Sequence, residues 1–278
     1  MQSMVSTVFG SLAILGYLTA LSLMLWSLRR ALVSGAEWVQ PGRLGHLLLG
    51  GLAIVLHGAA IVGPDTPATG TNFSFLNALS LVTLSVNAIL LLAALLRPVD
   101  KLWIITFPLA AAILLLKILL PEETRVVQDH SWQMTVHIFS SLLAYSFLNI
   151  AAIQAVLLAV QDRCLRSRHP DGYLVRSLPS LQSMETLMFQ LIGAGLLLLT
   201  VSLVTGFVFL ENMFAQHLAH KTVLSLLAWL VFAILLLGRL RYGWRGQIAI
   251  RWTLGGFVAL MLAYFGSKMV LELILNRV

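Results

Sequence analysis

The sequence predicts an all-α, polytopic transmembrane helical bundle of about eight spans, forming one domain over residues 1–278. Hydrophobic residues make up 59% of the chain and charged residues only 10%, whereas about a quarter of the residues of a soluble globular protein are charged. The mean hydropathy is +0.92. The apolar residues also come in runs of about 18–26, the length that a helix needs in order to cross a bilayer.

In chain order, the predicted spans are residues 8–28, 44–63, 73–96, 102–120, 132–160, 186–210, 221–240 and 252–275. No basic residue precedes the first run, which we therefore interpret as a retained helix and not as a signal peptide. The fifth run contains neither Pro nor Gly, and it is long enough to extend beyond the bilayer.

Basic residues lie in alternate gaps between the spans. Thirteen of the eighteen Lys and Arg fall in these gaps, so the positive-inside rule places the gaps in the cytoplasm and both termini outside. The formal net charge of +7 is then a sign of topology and does not indicate nucleic-acid binding. With one cysteine, Cys164, and no CxxCH motif, the chain has no internal disulfide and no covalent c-type haem attachment.

The second span contains the first candidate site residue, His57. By helical period it lies about 9 Å below the predicted outer end of the span. Its face is largely made of small side chains, which lets a neighbouring helix or a flat ligand approach closely. The residues of this face are Gly50, Ala53, Ile54, Ala60 and Ile61, with His46 further inward.

The third span is unusually polar for a membrane helix. Its polar residues are Asn77, Ser80, Thr83, Ser85 and Asn87. Hydrogen bonds to neighbouring helices are the favoured interpretation, and the lining of a ligand path is the alternative.

The fifth span contains His137, at the same predicted depth as His57. The residues on its face are Ser140, Ser141, Ala144, Leu148, Ala151 and Ala155. Two histidines on separate helices at one depth predict both axial ligands of a haem. In the alternative interpretation, each imidazole only hydrogen-bonds a Ser, Thr or backbone carbonyl of a neighbouring helix.

Lys221 opens the seventh predicted span at its outer end. It either extends to the bilayer interface or pairs with a haem propionate or with Glu211. His130, His217 and His220 lie in outer loops and are interpreted as solvated histidines, with a ligand role left open. There is no HExxH, G-x-S-x-G, Walker or GxGxxG motif, so the sequence does not predict an enzyme.

Two segments resemble the cytochrome c assembly family of integral membrane proteins (CcsA/CcmC type). The first is KTVLSLLAWLVFAILLLGRLRYGWRG, in which Lys221, Trp229, Arg239 and the residues 243–246 match the family pattern. The second is the His137 helix, which also matches at Leu142 and Tyr145. Over about residues 50–270 the chain is most similar to the YpjD/HemX-like branch. The resemblance implies a multi-pass protein of the bacterial inner membrane in which His137 is an outward-side ligand of haem b.

The chain departs from the haem-delivering members of that family at three places. Its loop ENMFAQHLAH contains no Trp, Leu237 stands where the family helix has a histidine, and the last span ends without an outer histidine. These departures favour a protein that binds haem non-covalently between His57 and His137, or an accessory to haem supply, over a haem–cytochrome ligase.

Cations such as Lys221 or Arg125 would then neutralise the haem propionates. Besides haem, the expected partners are the lipid bilayer and other cytochrome c assembly proteins. The alternatives are a regulator of haem synthesis, a membrane transport or accessory subunit without haem, and a b-type electron-transfer cytochrome.

Overall fold

The computed structural model describes residues 4–34, 43–62, 71–72, 74–96, 99–120, 126–127, 131–167, 178–209 and 216–266. Within these ranges eight helices are long and apolar enough to cross a membrane, which confirms the predicted class and the predicted number of spans. The placement of the termini outside stays a prediction.

The helices are α1 (Met4–Ser34), α2 (Arg43–Ile61), α3 (Phe75–Leu96), α4 (Trp103–Leu119), α5 (Trp132–Arg166), α6 (Leu181–Phe209), α7 (Gln216–Tyr242) and α8 (Gln247–Met261). A 3-10 turn, Asp100–Leu102, precedes α4, and a π-helical turn, Leu262–Gly266, follows α8. Two short strands, β1 (Thr71–Asn72) and β2 (Val126–Val127), pair antiparallel.

α1, α5 and α7 extend beyond their predicted spans, whereas α3 and α4 lie within theirs. An apolar run marks the hydrocarbon region and not the end of the helix. α7 begins at Gln216, but its apolar span begins at Lys221, as predicted. The end predicted for the last span, near residue 275, lies outside the described residues.

The chain divides into two compact units. The first contains α1–α4, in which α2 and α4 both pack on α1, and α3 packs on α4 and α2. The second contains α5–α8, in which α5 packs on α6 and α8, and α7 packs on α8. The single domain over residues 1–278 stays a prediction.

The buried face of α2 is the face that helical period predicts. Its buried residues are His46, Gly50, Ala53, Ile54, His57, Ala60 and Ile61. Small side chains are required here, because a Cβ on Gly50 would lie 2.8 Å from Cζ of Phe107, and one on Gly16 of α1 would lie 2.9 Å from Cβ of Ala53. The close approach of α1 and α4 to α2 therefore depends on glycine.

Three of the predicted polar residues of α3 hydrogen-bond neighbouring helices, namely Asn77, Ser80 and Asn87. Thr83 instead donates to carbonyls of α3 itself. Thr106 of α4 donates to Oδ1 of Asn87 at 2.7 Å, and Nζ of Lys117 donates to Oδ1 of Asn77 at 2.6 Å. In an apolar surrounding these bonds satisfy groups that would be costly to bury alone.

The second unit is built around the contact between α5 and α6. At its tightest point, a Cβ on Gly195 would lie 2.7 Å from Cγ of Leu148. The hydroxyl of Tyr145 joins α5 to α8 by donating to the carbonyl of Leu260 at 2.6 Å. These contacts hold α5 on two sides and thereby set the position of His137.

Candidate functional site

His137 lies in the second turn of α5 and faces α6. Ser131 caps α5 by accepting a hydrogen bond from the backbone N–H of Met134, which fixes where the helix starts. The imidazole Nδ1 lies 2.9 Å from the backbone carbonyl oxygen of Ser202. The side chain is half-buried, with one edge of the ring against α6.

The contact with Ser202 sets the tautomer of His137. A carbonyl oxygen can only accept a hydrogen bond, so Nδ1 is the nitrogen that carries the proton. In the neutral imidazole, Nε2 then holds the lone pair. None of the described residues hydrogen-bonds Nε2.

Hydroxyl groups surround the His137–Ser202 contact. The hydroxyl of Thr205 lies 3.4 Å from Nδ1 and donates to the same Ser202 carbonyl at 3.0 Å. Oγ of Ser141 lies 2.6 Å from Oγ of Ser202. The predicted small face of α5 is also confirmed, since its members other than Ser141 are buried, and Ser141 is half-buried.

His57 has a different environment in the first unit. Its side chain is fully buried. Nδ1 lies 3.1 Å from the hydroxyl of Tyr17, and Nε2 lies 2.9 Å from Oγ of Ser80. One ring nitrogen donates and the other accepts, so both are engaged. The hydrogen-bonding alternative therefore describes the contacts of His57 in this structure.

The two predicted ligands thus differ in how many of their ring nitrogens have a hydrogen-bond partner. Among the residues that the structure describes, Nε2 of His137 has no hydrogen-bond partner, whereas the lone pair of His57 accepts a hydrogen bond from Tyr17 or Ser80. Sequence reasoning missed Tyr17 and Ser202 as partners. Helical period could not have found them, because each lies on another helix and the Ser202 acceptor is a backbone atom.

Lys221 is half-buried in α7. Its predicted partner Glu211 lies outside the described residues, as do Arg125 and His130. His217 and His220 lie in the first turns of α7, where only the backbone is described. Among the described residues no group of three or more metal-binding side chains occurs.

Comparison with known proteins decides the family. The model of the family described as "Cytochrome C assembly protein" matches residues 45–275. The chain belongs to this family. The matched region agrees with the region of about 50–270 over which the sequence resembles the family.

The chain is also similar to individual family members. It is 34% identical over 269 residues to "Inner membrane protein YpjD" of Escherichia coli (strain K12), covering 96% of this chain and 99% of that protein. It is 26% identical over 144 residues to "Cytochrome c biogenesis protein CcsA" of Chlamydomonas reinhardtii, covering 51% of this chain and 39% of that protein. No solved structure matches.

These matches confirm the YpjD-like branch of the cytochrome c assembly family. Together with the eight apolar helices, the similarity over nearly the full length to an inner membrane protein confirms a multi-pass protein of the inner membrane.

The residues that carry the family resemblance near the end of α7 have structural contacts. Arg239 donates to Oε1 of Glu185 at 2.8 Å, and Oε2 of Glu185 accepts from the backbone N–H of Gly246 at 3.2 Å. Gly243 and Gly246 have φ of 65° and 60°, and Trp244 packs so closely on Gly238 that a Cβ there would lie 2.4 Å from Cε3 of the indole. This motif therefore builds the tight turn between α7 and α8.

Proposed function

We propose that this inner-membrane protein binds haem b non-covalently and that Nε2 of His137 is an axial ligand. The observation that carries the proposal is the tautomer of His137, with Nδ1 held by the Ser202 carbonyl and Nε2 without a hydrogen-bond partner in the described parts of the chain. This is the arrangement that orients a metal-ligating imidazole, because the hydrogen bond fixes the ring and raises the basicity of the opposite nitrogen.

The residues around His137 fit such a ligand. Ser140 and Ala144 follow it on one face of α5 and are small and buried, so the neighbouring helices pack closely just beyond the imidazole. Bound haem would supply an iron atom that an imidazole nitrogen can hold. The only cysteine, Cys164, is half-buried at the opposite end of α5 and has no CxxCH context, which favours non-covalent binding.

The contacts between α5 and α6 would orient the ring. The Ser202 carbonyl holds Nδ1, and the hydroxyls of Ser141 and Thr205 lie beside it. Rotation of the imidazole away from this position would break its hydrogen bond to the Ser202 carbonyl of α6. A preorganised ligand of this kind loses little conformational entropy when it binds.

We propose His57 as a second residue that would hold haem iron. For this, its ring would give up the hydroxyl that donates to its lone pair, from either Tyr17 or Ser80. Lys221 is proposed as a partner of a haem propionate, because a cation stabilises a carboxylate by a charge-assisted hydrogen bond. Since the related protein of C. reinhardtii is named for cytochrome c biogenesis, other assembly proteins are proposed as partners.

Haem content measured on purified variants tests the ligand assignment. We expect the wild-type protein, purified in detergent after expression with ample haem, to show a Soret band, and acidified organic solvent to extract the haem. His137→Gly should lose the band, and added imidazole should restore it, because free imidazole can occupy the space of the missing ring. Thr186→Val is the matched control, because Thr186 is exposed on the same helix as Ser202 and its hydroxyl donates to the Gln182 carbonyl, away from the Ser202 contact.

The possible outcomes separate the two ligands. A folded His137→Gly protein that retains haem with an unchanged spectrum would overturn the role of His137. Loss of haem in His57→Ala would support the second ligand, whereas an unchanged spectrum would limit the proposal to His137. A wild-type protein that binds no haem would favour a regulator or an accessory subunit without haem.

A further inference from the structure

A second group of buried polar side chains lies in the first unit, where α2 begins and α4 begins. It consists of His46 of α2, Asp100 of the 3-10 turn, and Trp103 at the start of α4; we call it the His46–Asp100 cluster. Their exposed fractions are 1%, 0% and 0%. The edge of the His46 ring faces the Trp103 indole, with 6.2 Å between the ring centroids.

The polar atoms of this cluster have no hydrogen-bond partner within the described parts of the chain. These atoms are Nδ1 and Nε2 of His46, Oδ1 and Oδ2 of Asp100, and Nε1 of Trp103. Buried polar groups are almost always hydrogen-bonded to protein or to ordered water. An unsolvated carboxylate is especially unfavourable in an apolar surrounding.

The contacts within the cluster are ion-pair contacts that do not satisfy its polar atoms. Nε2 of His46 lies 3.5 Å from Oδ2 of Asp100, without hydrogen-bond geometry. Nη2 of Arg43 lies 3.8 Å from Oδ1 of Asp100. A water beside such groups can supply the hydrogen bonds that they do not make to each other.

We propose that the His46–Asp100 cluster is a water-binding site. The occupant donates hydrogen bonds to the Asp100 carboxylate and to whichever nitrogen of His46 has the lone pair, and it accepts from Nε1–H of Trp103. A buried water makes about three hydrogen bonds. The three side chains present five polar atoms without a partner among the described residues, so the site has room in its hydrogen bonding for a second water beside the first. The side chain of Arg43 is 21% exposed, so it connects the site with the solvent at this end of the unit.

Radiolytic hydroxyl-radical labelling of the full chain in lipid nanodiscs tests the proposal. X-rays generate hydroxyl radicals from bound water, so a buried side chain beside a water is oxidised although bulk solvent does not reach it. Trp103 should be labelled, whereas Phe107, which stacks on Trp103 and is equally buried, should not. A short pulse of ¹⁸O-water before irradiation should introduce ¹⁸O into the Trp103 product.

The wild-type measurement decides the proposal without any variant. An unlabelled Trp103 would overturn it, and a labelled Trp103 without ¹⁸O would overturn the part that connects the site with solvent. In Asp100→Leu, where an apolar side chain of similar size removes the acceptor, Trp103 labelling should be lost. If Trp103 is still labelled in a folded Asp100→Leu protein, the proposal that the Asp100 carboxylate binds the water is wrong.

Discussion

Two glycines on α6 provide a test of how His137 is positioned. A Cβ on Gly195 would lie 2.7 Å from Cγ of Leu148 and 3.4 Å from its backbone nitrogen, whereas nothing lies within 4 Å of a Cβ on Gly193. Gly→Ala should therefore change the free energy of unfolding in opposite directions at the two positions. Gly193→Ala should stabilise the protein by about 0.5–1 kcal/mol, because alanine loses less backbone entropy than glycine in a helix.

At Gly195 the stabilisation expected from replacing glycine by alanine in a helix is opposed by overpacking. Forcing a methyl group into a well-packed contact costs about 1–3 kcal/mol, and Leu148 is fully buried. The net effect of Gly195→Ala should be a loss of up to about 2.5 kcal/mol once the helix-propensity gain is subtracted. Gly195 and Ser202 are seven residues apart and share a face of α6, so the Nδ1–carbonyl contact should lengthen as well.

The assay is the free energy of unfolding in mixed detergent–SDS micelles, measured beside haem content. Gly195→Ala should lower both quantities, and Gly193→Ala should lower neither. Equal stability of the two variants would refute the close approach of α5 and α6. A destabilised Gly195→Ala protein that retains full haem content would refute the link between this contact and the orientation of His137.

Two further predictions concern stability. Gly246→Ala should destabilise the protein by about 1–3 kcal/mol, because φ of 60° with ψ of −131° is a conformation that only glycine adopts readily. Gly255→Ala is the control, since nothing lies within 4 Å of a Cβ at that position of α8. Equal melting temperatures of the two variants would contradict the backbone strain at Gly246. Tyr17→Phe should cost about 1–3 kcal/mol, because it leaves Nδ1 of buried His57 without a partner. The exposed Tyr242→Phe is its control, and a neutral Tyr17→Phe in the same SDS titration would argue against the hydrogen bond.

Most of the fold follows from local sequence properties. The length and apolarity of eight runs predict eight helices, because a bilayer requires every backbone group to be satisfied within its own segment. Helical period also predicts which residues of α2 are buried around His57, and which small residues accompany His137 on α5. These predictions succeed because burial follows a regular spacing along one helix.

The state of each histidine could not be predicted in the same way. Whether a ring nitrogen is free depends on groups from other helices: Tyr17 and Ser80 beside His57, and the Ser202 carbonyl beside His137. The role of Glu185 was missed for the same reason, since its partners Arg239 and Gly246 are distant in the chain. None of these pairings leaves a periodic pattern in the sequence.

The sequence by itself determined that the chain is a multi-span membrane protein and that His57 and His137 lie on faces of mostly small residues, because length, apolarity and helical period are local. Only the tertiary structure decided that both nitrogens of His57 are engaged, whereas only Nδ1 of His137 has a partner among the described residues. That difference arises from hydrogen bonds between helices, which depend on how the helices pack and not on the spacing within any one of them.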